Sequence, residues 1–92
     1  STFPVLDAAG RLVGLLPGSA VRERYKARSV AQCMTPRAEL LTVNQRQLRP
    51  DPIKAADAFF TEHIGIHKML VVDDDDHLRG LVTFSDIDRI IT

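Results

Sequence analysis

Residues Phe3–Arg22 read FPVLDAAGRLVGLLPGSAVR, and residues Met69–Asp88 read MLVVDDDDHLRGLVTFSDID. Laid over each other without a gap, the two stretches share Val5/Val71, Asp7/Asp73, Leu12/Leu78, Gly14/Gly80, Leu15/Leu81 and Ser19/Ser85. Apolar positions also match at Leu6/Val72, Leu16/Val82 and Val21/Ile87. An internal repeat of this kind decides the fold, because each copy must be one supersecondary unit. Each reads as strand, turn, strand, helix: Asp7–Gly10 and Asp73–Asp76 are polar turns between apolar, β-prone runs, the pattern of a hairpin.

Working outward, the second copy has its own leading segment, whereas the first is preceded only by Ser1 and Thr2, so the first repeat reads as incomplete. Leu40–Val43 is a short apolar strand. Asn44–Asp51 is a polar connection, after which Asp51 suits an N-cap and Pro52 the first helical position. Ile53, Ala56, Phe60 and Ile64 recur at helical spacing, and Gly65 can end the helix. The expected strands are 3–6, 12–16, 40–43, 68–73 and 78–82, with helices at 19–27, 52–64 and 85–91. The expected core is Val5, Leu15, Leu41, Ile53, Phe60, Val71, Val72, Leu81, Val82, Ile87 and Ile90. The fold class is α/β, a small mixed sheet with helices packed on it.

The composition sets bounds on function. With 92 residues the chain has no room for a multi-domain enzyme. Twelve basic residues balance twelve acidic ones, so nothing marks a nucleic-acid partner. No stretch reaches the length of a membrane span. The single cysteine, Cys33, has no partner for an internal disulfide, and no leader precedes Phe3, which makes a cytoplasmic location the expectation.

The element order, together with Met34-Thr-Pro36, Leu41-Thr-Val43, Val71-Val-Asp73 and Gly80-Leu-Val-Thr-Phe-Ser-Asp86, resembles the CBS domain. Within that family the chain is most similar to the tandem CBS (Bateman) module of the IMP dehydrogenase and GMP reductase family. Phe3-Pro-Val5, Leu12-Val-Gly14, Ala31–Val43 and Glu62–Ile87 carry that likeness, which covers essentially the whole chain. It implies that residues 1–28 are the C-terminal part of a first repeat (strand, strand, helix). Residues 29–92 are then a second repeat with a Met-Thr-Pro lead-in. It also implies a catalytic barrel elsewhere that oxidises IMP with NAD, or a GMP reductase parent. Nothing in these residues resembles the barrel's catalytic cysteine loop, so no catalytic residue is expected here.

The resemblance further implies a regulatory adenine or guanine nucleotide. Thr83, Ser85 and Asp86 stand at the start of the last helix, where free N–H groups and the dipole attract anions and a carboxylate accepts bonds from ribose hydroxyls. By family likeness the threonine serves phosphate and the aspartate ribose. Thr42 and Val43 would line the base pocket through their backbone, with Lys68 and Met69 nearby. Against this, Thr-x-x-Asp is close to a capping box, in which the side chains only satisfy the helix terminus. Thr42 and Val43 can equally be plain strand packing. In the first repeat Ala20 stands where the ribose-binding aspartate would be, and Pro17-Gly18 where a hydroxyl residue and helix start are usual. That site is expected to be weak.

Other polar groups read as structural. Asp73–Asp76 lacks the ligand spacing and glycine of a calcium loop and reads as a solvated turn. His63, His67 and His77 lack metal spacing, and Cys33 has no base partner in view. Arg22, Arg24, Lys26 and Arg28 make a solvated basic helix end or meet nucleotide phosphates. The expected function is therefore a nucleotide-sensing module that modulates the activity or assembly of an attached oxidoreductase. Its partners would be another CBS copy or the catalytic barrel, in a homo-oligomer, with no nucleic acid and no membrane. The alternative is a degenerate module that only supports folding or oligomer contacts.

Overall fold

The computed structural model describes residues 2–21 and 28–92. The chain divides between Leu40 and Leu41 into two compact units, each with its own three-stranded sheet.

In the first unit β1 (Thr2–Leu6) and β2 (Leu12–Pro17) form an antiparallel hairpin, and β2 runs into a 3-10 turn at Gly18–Val21. The expected helix at 19–27 is seen only as this turn, because the rest of it, with Arg22, Arg24 and Lys26, lies outside the described residues. After the short α1 (Val30–Cys33), closed by a reciprocal Ser29–Gln32 capping box, the two-residue β3 (Thr35–Pro36) pairs antiparallel with β2. Gly14 makes that pairing possible: a Cβ there would sit 2.4 Å from Met34 Sδ and 2.9 Å from the Thr35 carbonyl oxygen.

In the second unit β4 (Thr42–Asn44) lies parallel to β5 (Lys68–Val72), which pairs antiparallel with β6 (Leu78–Thr83). The expected strand at 40–43 starts later, because the Leu40 N–H closes a 3-10 turn onto the Arg37 carbonyl. Between β4 and the next helix the polar connection folds as a 3-10 turn, Gln45–Leu48, capped by Asn44. α2 spans Pro52–Glu62 with Asp51 as N-cap, its side chain accepting from the Lys54 N–H. The His63 N–H still reaches the Phe59 carbonyl, and Gly65 follows at φ 94°, a conformation that costs glycine little. α3 spans Phe84–Ile91.

The internal repeat is reproduced bond by bond. Phe3 faces Leu16 and Met69 faces Val82; Val5 faces Gly14 and Val71 faces Gly80; both ladders then slip at the next residue, Leu6 or Val72. In both turns the aspartate carboxylate closes the loop. Asp7 Oδ1 accepts from the N–H groups of Ala9 and Arg11, and Asp73 Oδ1 from those of Asp75 and His77. Gly10 and Asp76 take the left-handed conformation at matching places. The shared aspartate therefore has a structural cause, an Asx turn.

The core of the second unit joins Ala56, Phe59, Phe60, Met69, Val71 and Ile87, with Val43, Leu48 and Val82 packed against it. Burying each of the larger side chains contributes about 1.5–3 kcal/mol. Of the expected core, Phe60, Val71, Val72 and Ile87 are buried and Val5, Leu15 and Val82 half-buried, but Leu41, Ile53, Leu81 and Ile90 are exposed. The helical register explains part of this. Ala56, Phe59 and Phe60 form the inward stripe of α2, which leaves Ile53 at its rim, while Ile64 falls beyond the helix end. Leu81 alternates to the face opposite Val82. Among the described residues no helix is long and apolar enough to cross a membrane.

Candidate nucleotide site

Three strand ends meet at one edge of the second sheet. β4 begins at Thr42, paired with Leu70; β5 begins at Lys68, directly opposite Thr83, the last residue of β6. Lys68 and Thr83 thus face each other at the end of the sheet, and Thr42 lies level with Leu70 and Leu81, two residues further in, or roughly 7 Å along the strands. α3 leaves from the Lys68–Thr83 end. Its first turn carries Ser85 and Asp86, both exposed. The Phe84 N–H donates to the His67 carbonyl at 2.8 Å, and the Phe84 ring stands edge-on to Phe60 and His67, which fixes where the helix starts.

Thr83 is the N-cap: its Oγ1 accepts from the Asp86 N–H at 3.3 Å. The Asp86 carboxylate does not bond back to the main chain. Its Oδ1 accepts from Arg89 Nη2 at 2.7 Å, an exposed pair one turn along the helix. The arrangement is thus half a capping box, with the aspartate turned to solvent and one oxygen beyond the Arg89 bond. Such a carboxylate beside a helix N-terminus can accept from vicinal hydroxyls while the hydroxyl and N–H groups around Thr83 face an anion.

The other two expected residues contribute differently. Met69 is buried among the core side chains, and Val43 packs against the same cluster, so what either can offer a ligand is main chain. The Arg89 pairing was not anticipated from the sequence, although its i, i+3 spacing from Asp86 is the signal for it.

Pro17, Ser19 and Ala20, the repeat equivalents of Thr83, Ser85 and Asp86, line a shallow pocket of about 210 Å³ in the first unit together with Arg28, Gln32 and Cys33. Asp73, Asp75 and His77 bring their ligand atoms within 4.8 Å of one another. The sequence spacing did not suggest this grouping. Asp73 is already saturated, however: Oδ2 meets Arg79 Nε at 3.0 Å and His77 Nδ1 at 3.2 Å, and Oδ1 accepts two backbone N–H groups. Burial pushes the Asp73 pKa up, but the His77 and Asp75 N–H groups with Arg79 and His77 outweigh it and leave the carboxyl below its usual value.

Two repeat-related hairpins, the second running into α3 beside the Lys68–Thr83 pair, define a module of paired CBS type. Residues 30–92 match the CBS domain family, and the chain belongs to it. It is 34% identical over 91 residues to inosine-5'-monophosphate dehydrogenase of Pasteurella multocida, covering 97% of this chain and 18% of that protein. The chain therefore spans about a fifth of the length of the relatives it matches. Solved structures that share its fold include the following two. The CBS domain pair of protein MJ0100, in complex with 5'-methylthioadenosine and S-adenosyl-L-methionine, superposes with a TM-score of 0.67 at 23% identity, covering 98% of this chain and 68% of that one. GMP reductase from Trypanosoma brucei, in complex with guanosine 5'-triphosphate, gives 0.76 at 16% identity, covering all of this chain and 21% of that one.

Proposed function

We propose that this chain is the regulatory CBS module of a larger enzyme of guanine-nucleotide metabolism resembling IMP dehydrogenase. In this reading an adenine or guanine nucleotide binds at Thr83, Ser85 and Asp86, with Thr42 and Lys68 beside it and the main chain of Val43 and Met69 against the base. The observation that carries it is the Lys68–Thr83 pair at the end of the second sheet where α3 begins, with Thr42 two residues further in on β4 and the exposed Asp86 carboxylate in the first turn of the helix. The likeness to IMP dehydrogenases and the nucleoside-type ligands of the two structural neighbours support it. NAD would serve the parent's catalytic barrel, and a GMP reductase parent is the variant of the same reading. The repeat boundary falls between residues 28 and 29, with Met34-Thr-Pro36 as a lead-in that adds β3 to the first sheet.

Nucleotide acts in this reading by differing in affinity for two states of the parent, which changes its activity or its assembly through contacts with another CBS copy or the barrel. The second reading, a purely structural module, is favoured by one observation: Thr83 and Asp86 both already have partners at the helix start. Calorimetric titration with ATP, GTP and AMP separates the two. A saturable heat that disappears in Asp86→Ala supports regulation, and no heat with any of the three supports the structural module.

A further inference from the structure

Resting on the nucleotide reading above, we propose that Arg89 is the positioning residue of that site: it decides whether the Asp86 carboxylate serves a ribose or closes its own helix. Asp86 is the third residue of α3, the place from which a capping-box side chain reaches back to the N–H of the N-cap residue. That donor is waiting. The Phe84 N–H bonds across the hairpin to the His67 carbonyl, so by the alternation of an antiparallel ladder Lys68 and Thr83 are a non-hydrogen-bonded pair. The Thr83 N–H therefore points off the outer side of β6, the last strand of its sheet. Half of the capping box is already formed, since Thr83 Oγ1 accepts from the Asp86 N–H. At two other helix starts among the described residues, Ser29 with Gln32 and Asn44 with Gln47, the box is closed in both directions. At α3 the return bond is not made.

Arg89 is what holds the carboxylate away, its Nη2 donating to Asp86 Oδ1 at 2.7 Å in an exposed pair one turn along the helix. A carboxylate has acceptor positions on both oxygens, and one N–H takes one of them. Vicinal ribose hydroxyls still find Oδ2 and the second lone pair of Oδ1, so the guanidinium orients the group without filling it. Once Arg89 is removed, the capping-box donor at Thr83 competes for the same side chain. Nucleotide then meets an outward carboxylate in only a fraction of the molecules, and its apparent affinity falls by that fraction.

Nucleotide titration and amide exchange on the whole chain test this together. Whichever of ATP, GTP and AMP binds tightest is compared with its 2′,3′-dideoxy analogue, which has no hydroxyls to offer Asp86. Arg89→Met should weaken the ribonucleotide about three- to ten-fold and leave the dideoxy analogue unchanged. Arg89→Lys, which keeps a cation at the same spacing, should recover part of the loss. In the ligand-free chain the Thr83 amide hydrogen should exchange with solvent severalfold more slowly in Arg89→Met than in the wild type, a change that loss of a surface ion pair alone does not produce. No heat from the wild type with any of the nucleotides overturns the nucleotide reading, and the ribose role with it. If the wild type binds, the positioning role alone is overturned by Arg89→Met weakening both ligands equally or neither, or by an unchanged Thr83 amide.

Discussion

Lys68 stands opposite Thr83 across the β5–β6 ladder, so an ammonium and a hydroxyl side chain share one end of the sheet where α3 begins. The matching pair in the other hairpin is Thr2 opposite Pro17. One backbone geometry therefore displays two different chemistries, and the substitutions that matter most are those that tell the side chains from the scaffold.

Asp86→Ala is expected to lower nucleotide affinity by about ten-fold to more than a hundred-fold, since charge-assisted bonds are worth about 1.5–3 kcal/mol each. Stability should hardly change, by less than about 0.5 kcal/mol, because the carboxylate's pair with Arg89 is exposed. Thr83→Ala, by contrast, removes the N-cap and should cost about 1 kcal/mol in a thermal or urea melt whether or not nucleotide binds. Ser19→Ala should leave nucleotide affinity at the Asp86 site unchanged. A folded Asp86→Ala protein with wild-type affinity would remove this site from consideration.

Gly14→Ala should destabilise the first unit by about 1–3 kcal/mol, since the new methyl overlaps Met34 Sδ and the Thr35 carbonyl. Gly80→Ala, at the repeat-equivalent position, meets nothing nearer than Val71 Cβ at 3.8 Å and should shift stability by less than about 1 kcal/mol. Removing the thioether in Gly14→Ala/Met34→Ala should recover only part of the loss, because the Thr35 oxygen remains. Denaturant midpoints of the three variants decide this.

Stability should fall in acid through the two turn aspartates. Asp7 is held below the usual carboxylate value first by the Arg11 N–H and further by the Arg11 guanidinium and the Ala9 N–H, against burial, and Asp73 is lowered as described. A folded-state pKa below the unfolded one contributes stability above about pH 4 that disappears as pH falls through the lower value. Asp73→Asn should therefore be less stable than the parent chain at neutral pH, and the gap should close below about pH 4. Melts at neutral and strongly acidic pH measure it, and a gap that stays constant with pH contradicts the assignment.

Phe60→Ala should cost about 3–5 kcal/mol, whereas Ile90→Ala, at an exposed position, should stay within about 0.5 kcal/mol. The same exposure bears on assembly. Ile64, Ile90 and Ile91 are apolar and uncovered in the second unit, and light scattering should show self-association that Ile90→Ser with Ile91→Ser weakens. A chain that stays monomeric at every accessible concentration argues against the proposed oligomer.

The hairpins and the helix starts were legible because their causes are local: an aspartate that closes a turn, a Pro52 after an Asp51 cap, an alternation of apolar residues. What the sequence did not disclose depends on partners distant in the chain. Leu81 and Ile90 look as apolar as Val82 and Ile87, and only the packing of α2 and α3 on β5 decides which of them is covered. β3 went unread because two residues carry no period, and its cause, the approach of Met34 to Gly14, spans 20 residues. In the candidate site Thr83 and Asp86 could be named in advance, but not whether the carboxylate folds back on the helix. That is settled by Arg89 drawing it outward.

Pro4 has a consequence for how the molecule behaves at high concentration. β1 is the outer strand of its sheet, and Phe3 and Leu6 on it are exposed, which together would make a template for recruiting further strands into a growing sheet. A proline survives in a paired strand only where its missing N–H faces away from the partner, so at Pro4 the absent donor lies on the outer rim. Any strand adding there forfeits a hydrogen bond midway along a five-residue edge. In the second sheet β4 occupies that same side of β5, at Leu70, the repeat equivalent of Pro4. Within these 92 residues the imino ring thus withholds a donor from any strand adding to β1, and Pro4→Val in this chain should raise thioflavin T binding on storage.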